Sequence, residues 1–558
     1  MLFDSIGCST CIVFSRKKLI SSMDLKRAKA LAKKARYDHL LSEFPIKLAK
    51  SPSKGRHVLA AQDLEAGTIV ISEMPVGYAL FKDSMDELCL ACLNPLPDQL
   101  LDGSKEPTIR MMGASNRSKG FCCAGCRKQT FYCSKECQSL DSDRHALECE
   151  TVKHLSGIAG AHSVDYGLLR LIVRFLANRI TARAKEDTQY LPHVDAYTCT
   201  LDLVGHQSSM GDKWLDSLRN AGTRWLETNK GIAQDLMTDS EGKLETSVEE
   251  IIQLACQINA NSFVLYEPLA TSQHEIGVSL LPMSALLNHS CAPNCVSLTD
   301  ARGKSIVRTV EDVKKGQELC ISYVDLYLPT SERRGKLLET KFFWCQCTRC
   351  VENLHQDMVI EGIRCEACSA GYLYQDESEV YKCESCASSI SCETYHDIQL
   401  KAEGEYESAF DFIKIGDFAC ARSAIESFRN RHQGILHPLH TLFFNSFPPL
   451  INCCIKMQDY VSAIGYSREM ISNMDKAFFI PQHWPEKSDY YYRLGELEEI
   501  LAMAVKNKLL ETDTINHVQE AKNAYQKCFE MRSLVYGSTH PSSTDAYDQL
   551  TRLEEAFI

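Results

Sequence analysis

The hydrophobic pattern changes period several times along the chain, and each change marks a different kind of element. Residues 24–40, DLKRAKALAKKARYDHL, read as a helix with Lys26, Arg27, Lys29, Lys33, Lys34 and Arg36 spread around it. That is the pattern of a solvated helix, with nuclear import or a nucleic-acid contact as the competing use. From 55 to 81 the chain alternates, uses Val and Ile, and turns at Glu65-Ala66-Gly67, which predicts short strands. A helical period fills 150 to about 255, as in YGLLRLIVRFLANRITARAKE, and strand character returns over 256–325. From about 395 onward the apolar stripes are helical, as in EGEYESAFDFIKIGDFACARSAIESF. Paired helices there suggest a tetratricopeptide-like array, although no clean repeat of about 34 residues emerges.

Length adds that 558 residues make several domains, since single cores rarely grow past ~250–300 residues. Apolar content of 44% and charged content of 24% are those of an ordinary soluble chain. The net charge of −12 argues against nucleic-acid binding by bulk electrostatics. No apolar run approaches the ~18–20 residues of a membrane span. In MLFDSIGCSTCIVFSRKK the basic residues follow the apolar patch, the wrong order for a secretory signal. We therefore expect a soluble, intracellular protein.

The 27 cysteines change that ordinary picture. In a reducing compartment they point to metal or catalysis before disulfides, and most fall in tight groups. Cys256, Cys420 and Cys528 are singles in helical stretches and read as core thiols. Four pairs run through the first block: Cys89 with Cys92, Cys123 with Cys126, Cys133 with Cys137, and His145 with Cys149. Zn²⁺ takes four S or N donors in a tetrahedron, so eight donors make two closed, structural sites. FFWCQCTRC carries Cys345, Cys347 and Cys350, one thiolate short of a tetrahedron. Cys365, Cys368, Cys383 and Cys386 are complete by themselves and read as a zinc ribbon. In LLNHSCAPNC, residues 286–295, either Cys291 or Cys295 could supply the missing fourth donor.

FYCSKEC followed by HALEC resembles a MYND zinc finger. That resemblance implies interleaved pairs, with Cys89, Cys92, Cys133 and Cys137 on one zinc and Cys123, Cys126, His145 and Cys149 on the other. NSF at 261–263, LLNHSCAPNC, GQELCISYVDL at 316–326 and FFWCQCTRC at 342–350 resemble the SET-domain lysine methyltransferases. With the zinc-finger block inserted, the match is to the SET- and MYND-domain subfamily, over about 52–352, and YGSTHP at 536–541 fits its helical end. The family then implies Cys291 as the fourth ligand beside Cys345, Cys347 and Cys350, with Cys295 a buried thiol.

The implied fold is an α+β multidomain chain, a SET β core split by a zinc finger and a helical insertion. The expected segments are a basic helical extension (1–50), the first SET part (51–86), the MYND finger (87–150), the helical insertion (151–255) and the SET catalytic core (256–330). A post-SET zinc segment (331–352), a zinc ribbon (353–394) and a tetratricopeptide-like helical domain (395–558) follow. The implied activity is transfer of a methyl group from S-adenosylmethionine to a protein lysine, histone or not, with about four structural zinc ions. Such a displacement needs nucleophile, methyl and sulfur in line, so positioning does much of the work. The target lysine, near 10.4 in reference pKa, must lose a proton, which an apolar channel promotes.

By the same resemblance, Asn261, Asn288 and His289 contact the cofactor, and Lys54 and Arg56 meet its carboxylate. Tyr323 is the tyrosine whose hydroxyl orients donor and amine, and Phe343 is kept beside the first post-SET cysteine. Two departures stand out. His57 replaces a glycine of the N-terminal loop, and Lys341 stands where relatives commonly carry a tyrosine, unless the register moves by one onto Phe342. Both favour the rival expectation, a weak or inactive adaptor that recruits partners through the finger and the helical array. We expect protein substrates and partners, no membrane or direct nucleic-acid contact, and residence in cytoplasm and nucleus.

Overall fold

The computed structural model describes residues 22–97, 120–126, 129–184, 192–228, 247–267, 274–352, 357–375, 380–506 and 514–556. Lys26, Arg27 and Lys29 belong to a helix, but their side chains lie outside the description. The β core is built from three small sheets. Strands β1 (Ile46–Ser51) and β2 (Gly55–Ala60) form a hairpin in register Ile46↔Ala60 to Ser51↔Gly55. Its turn ends on Gly55 at φ 65°, a left-handed conformation that costs glycine nothing. The sheet therefore begins at Ile46, inside the segment read from sequence as the helical extension, because the hairpin needs both strands.

β3 (Ile69–Glu73) lies at the edge of the second sheet, and β4 (Gly77–Leu80) at the edge of the third. A two-stranded ribbon, β5 (Phe121–Cys122) with β6 (Phe131–Tyr132), sits in the cysteine-rich block. The later strands are β7 (Ser262–Tyr266), β8 (Glu275–Leu280), β9 (Asn288–His289), β10 (Cys295–Thr299), β11 (Ser305–Thr309) and β12 (Glu318–Ile321). Sheet orders are β1-β2-β12-β9, β10-β11-β3 and β4-β8-β7. β9 and β12 run parallel with Cys320↔Asn288 and Ile321↔His289 in register, which brings residues 288–289 beside the segment ending at Tyr323. Val58, Ile71, Leu287, Val307 and Leu319 are fully buried where these sheets meet.

Helix α1 (Ser22–Leu41) is not wholly solvated. Tyr37 and Leu41 enter that core, and Lys33 pairs with Asp202 at 2.9 Å. The helical insertion comprises α2 (Lys135–His162), α3 (Tyr166–Ala184), α4 (Val194–Thr200), α5 (Asp212–Thr228) and α6 (Val248–Asn261). Ser134 caps α2, and Ser247 with Glu250 closes a capping box on α6, which sets where β7 starts. Burying Arg170 and Arg174 in α3 is tolerable because Asp141 and Glu148 of α2 accept their guanidinium hydrogens at 2.5–3.3 Å.

After α7 (Thr330–Lys341) and the short α8 (Thr348–Val351) comes a four-stranded antiparallel ribbon, β13 (Ile363–Arg364), β14 (Tyr372–Gln375), β15 (Tyr381–Cys383) and β16 (Ser389–Ile390). Seven helices end the described chain: α9 (Cys392–Lys414), α10 (Phe418–His432), α11 (Thr441–Lys456), α12 (Tyr460–Lys476), α13 (Pro485–Lys506), α14 (Thr514–Val535) and α15 (Pro541–Ala556). Their lengths vary from 15 to 23 residues, which blurs any sequence period. Pro448 and Pro449 lie inside α11, and the Asn445 carbonyl that Pro449 leaves free accepts the Tyr406 hydroxyl at 2.9 Å.

Candidate active site and metal centres

Four sets of four donors bring their ligand atoms within 4.8 Å of one another: Cys89, Cys92, Cys133, Cys137; Cys123, Cys126, His145, Cys149; Cys291, Cys345, Cys347, Cys350; and Cys365, Cys368, Cys383, Cys386. Every described cysteine is a free thiol. Crowding four thiols without a disulfide suits a thiolate-binding ion, and zinc accepts each of these donor sets. Among the described residues the His145 Nε2 atom is buried with no hydrogen-bond partner, the state of a ligand atom turned toward an ion. Its Nδ1 lies 3.4 Å from the Glu148 carboxylate, which fixes the ring as an outer partner of a metal ligand does. A Cβ on Gly125 would meet the Cys149 sulfur at 2.9 Å, so the thiol cluster leaves room only for glycine. Cys295 stays out of the third set, buried in β10, and Cys291 is the fourth donor.

The loop after β9 links that third set to the β core. His289 Nδ1 accepts the Tyr323 backbone N–H at 3.0 Å, and its Nε2 lies 3.1 Å from the Cys291 sulfur. One neutral tautomer serves both contacts, with Nε2–H donating to a thiolate. Burial lowers the His289 pKa to about 4, which keeps the ring neutral. Both ring nitrogens are thus occupied within the protein, and His289 positions the loop through them. The Tyr323 hydroxyl donates to the Leu287 carbonyl at 2.5 Å, and burial raises its pKa, so it acts as a hydroxyl and not as a phenolate. Phe343 packs against the cysteine cluster, its ring 6.1 Å from that of His289.

On the other side of the loop, Asn288 donates to the Lys54 carbonyl at 3.2 Å and to Glu318 at 3.0 Å, and Lys54 pairs with Glu318 at 2.5 Å. A cation, an anion and an amide side by side suit the zwitterionic end of an amino-acid-like cofactor. Arg56 points elsewhere: it donates to the Tyr37 hydroxyl at 2.6 Å and to the Asp202 carbonyl at 2.9 Å, tying the β core to α1 and the insertion. Asn261 donates to the Val204 and Gln257 carbonyls, both at 2.8 Å, which leaves its oxygen as the acceptor. His57 is buried, with Nδ1 3.2 Å from the Gly55 carbonyl.

A cleft of about 500 Å³ opens between the β core and the start of α13, with Asn261, Tyr323 and Lys341 on its wall. Its size is that of small-ligand or side-chain sites. Phe342 takes a left-handed φ of 61° and stacks toward His206, so Lys341, not Phe342, lines the cleft. The Lys341 ammonium donates to the Ala260 carbonyl at 2.8 Å and sits 5.6 Å from the Tyr323 ring centre. Burial pulls its pKa below the usual lysine range.

A SET domain model matches residues 55–324, the stretch that holds β2 to β12 and Tyr323. The chain is 22% identical to N-lysine methyltransferase SMYD2 of Homo sapiens over 491 residues, 88% of this chain and 94% of that protein. It is 21% identical to Histone-lysine N-methyltransferase ASHR1 of Arabidopsis thaliana over 523 residues, 92% of this chain and 96% of that protein. A SET and MYND domain-containing protein of Dictyostelium discoideum is 27% identical over 350 residues, 56% of this chain and 61% of that protein. The chain thus carries a match to the SET domain and is similar to SET- and MYND-domain proteins.

Within this chain, three residues bear on the site without any motif to announce them. Glu318 completes the Lys54–Asn288 group, and only its place inside GQELC hinted at it. Buried Glu73 accepts the Met283 and Ser284 backbone N–H groups at 3.1 and 2.5 Å, fixing the turn before β9. Asp357 accepts from Arg333 at 2.5 Å and Arg349 at 2.6 Å, and Arg349 also donates to the Cys291 carbonyl at 3.1 Å. The partners of Glu318 and Glu73 come from other segments and those of Asp357 fall in no recognisable motif, so sequence spacing carries no signal for them.

Proposed function

We propose that this chain is an S-adenosylmethionine-dependent protein-lysine N-methyltransferase acting on histone or other protein lysines. The lysine-methyltransferase names of the similar proteins support the reaction class. The observation that carries the reading is the Tyr323 junction. One side of Tyr323 lines the cleft, and its backbone is held by His289, next to the Lys54–Asn288–Glu318 group. S-adenosylmethionine, when bound, supplies an electrophilic methyl on sulfur. The residues that would hold it are Lys54, Asn288 and Glu318 at its amino-acid end, with Asn261 and Phe343 nearby.

What the chain itself does is position and dehydrate. The Leu287 carbonyl fixes the Tyr323 hydroxyl, whose lone pairs face an incoming amine without taking its proton. The lowered Lys341 pKa reports how this wall treats an ammonium: desolvation favours the neutral, nucleophilic form. A target lysine entering the same cleft would lose its proton more readily for the same reason.

We propose further that the four donor sets hold four structural zinc ions, the first two forming a MYND finger. The finger and a tetratricopeptide-like array would recruit protein partners, in cytoplasm and nucleus alike. The test is methyl transfer from labelled cofactor to a histone and cytosolic protein panel, with Tyr323→Phe as control. Transfer that Tyr323→Phe reduces supports the reading. No transfer to any substrate, together with no cofactor binding by calorimetry, overturns it. Metal analysis finding one zinc or none overturns the zinc assignment.

A further inference from the structure

The charged side chains on the cleft wall are mostly of one sign. Of the charged side chains on its wall, Glu275, Asp325 and Glu486 are acidic and only Lys341 is basic. Among the described residues no cation pairs with Glu275, Asp325 or Glu486, whereas the neighbouring Asp489 holds Arg532 at 2.8 Å. Asp325 uses one oxygen to accept the Tyr327 backbone N–H at 2.8 Å and keeps the other.

A second, independent feature lies beside these carboxylates. Tyr327 is 5% exposed, lines the cleft, and has a buried hydroxyl with no hydrogen-bond partner among the described residues. Its ring is locked by stacking on Phe444 at 3.6 Å between centres and by an edge contact with Phe479. A buried hydroxyl held rigidly without a partner is uncommon in native proteins and marks a place where a ligand group completes the network. Glu486 stands in the first turn of α13, where an acidic residue often serves only the helix dipole. A dipole cap lowers a carboxyl pKa, yet burial, then Asp325 and Asp489, raise that of Glu486 to about 7. Its surroundings disfavour its charge and would be relieved by a cation.

We propose that Asp325, Glu486 and the Tyr327 hydroxyl form a subsite for a cationic side chain, a lysine or arginine that flanks the target lysine in the substrate. The subsite rests on the lysine-methyltransferase reading for the identity of the neighbouring residue, but its own chemistry is charge recognition. Two carboxylates grip an ammonium or guanidinium, the hydroxyl accepts one of its hydrogens, and the aromatic floor of Tyr327 supports the alkyl stem. Substrates would therefore be basic segments, with Lys341 confining the second positive charge to the outer position.

The test uses the full chain and a set of fluorescein-labelled peptides with one central lysine and arginines on either side. Each arginine is replaced in turn by glutamine, and the central lysine by norleucine in a parallel set. Binding by anisotropy is expected to weaken about tenfold when the recognised arginine is lost, the size of one charge-assisted contact. In the Asp325→Asn, Glu486→Gln double variant that preference should shrink to about twofold, and Tyr327→Phe should reduce it partially. In methylation assays the same variants should raise KM for the arginine peptide and leave kcat near wild type. No charge preference in the wild type, or one that survives in the double variant, overturns the subsite. Charge-dependent binding of the norleucine peptides, with no methyl transfer to the lysine peptides, supports the subsite and counts against the enzyme reading alone.

Discussion

The third and fourth metal sets use the same four-cysteine chemistry and sit fewer than about forty residues apart, yet their surroundings differ in kind. The set of Cys291, Cys345, Cys347 and Cys350 is almost wholly buried and faces the β core through His289. Arg333 and Arg349, both fully buried, stand beside it, with Arg333 reaching the Cys350 sulfur at 3.7 Å. Four thiolates around a divalent ion leave two negative charges, and these cations offset them. The set of Cys365, Cys368, Cys383 and Cys386 has one exposed member, and among the described residues no fully buried arginine contacts its sulfurs. Its apolar neighbours Ile363 and Leu373 share a core with Tyr395, Ala402, Phe428 and Leu436 of the helical array. One site is therefore wired to the cofactor loop. The other is a cornerstone of the array.

The link between them is the place to break that arrangement first. Asp357 is fully buried, pairs with both arginines, and precedes Ile360, which enters the core of the array. Asp357→Asn removes the anion and leaves two buried guanidinium groups facing each other. We expect a loss of about 3–5 kcal/mol in unfolding free energy, read from denaturant melts. A loss below about 1 kcal/mol would mean that the cysteine cluster alone compensates these cations.

Cys347→Ser tests the buried site directly. Metal content should fall by one ion per chain, and cofactor affinity by calorimetry should drop about hundredfold, because the Cys291 backbone N–H loses the Cys347 sulfur and Cys291, which holds the His289 ring, loses its anchor. An unchanged affinity after loss of the metal would cut the proposed wire between the two. Cys386→Ser is the matched experiment on the exposed site. It should weaken metal retention against a chelator about tenfold while leaving cofactor affinity within about twofold. A large effect on the cofactor there would erase the difference between the sites.

How far the sequence revealed this difference depends on distance along the chain. Cysteine pairs two or three residues apart announce themselves, so all sixteen donors, His145 among them, could be named from spacing and family resemblance, and they lie together in the structure. Asn288, His289 and Tyr323 were visible within motifs, but the use made of them was not. His289 spends both ring nitrogens on Tyr323 and Cys291, and Arg56 turns away to Tyr37 and Asp202. Such directions depend on which partner the fold presents, as far along the chain as Asp202 from Arg56, which no local pattern encodes. The strand Ile46–Ser51 was hidden for a related reason: its sequence, IKLAKS, is too polar to read as a strand until β2 pairs with it.

A smaller effect, in pH, bears on the same link. Glu361 lies between the two metal sites, accepts from Ser331 at 3.4 Å, and lends its backbone carbonyl to Tyr395 of the array at 2.6 Å. Burial, then the neighbouring Asp357 charge, raises its pKa from 4.5 to about 7. A raised carboxyl favours the folded state in its protonated form, a contribution fully present below about 4.5 and lost as pH rises through about 7. Between about pH 6 and pH 8, where the thiolate sites keep their metal, stability should therefore fall by about 1 kcal/mol from this group. Glu361→Gln should flatten that slope in melts across the window, with metal content constant. Asp357→Asn in the same series should shift the fall toward lower pH, because it removes a negative charge that helps raise the Glu361 pKa. A slope that Glu361→Gln leaves intact would place the titrating group elsewhere and detach Glu361 from the joint between core and array.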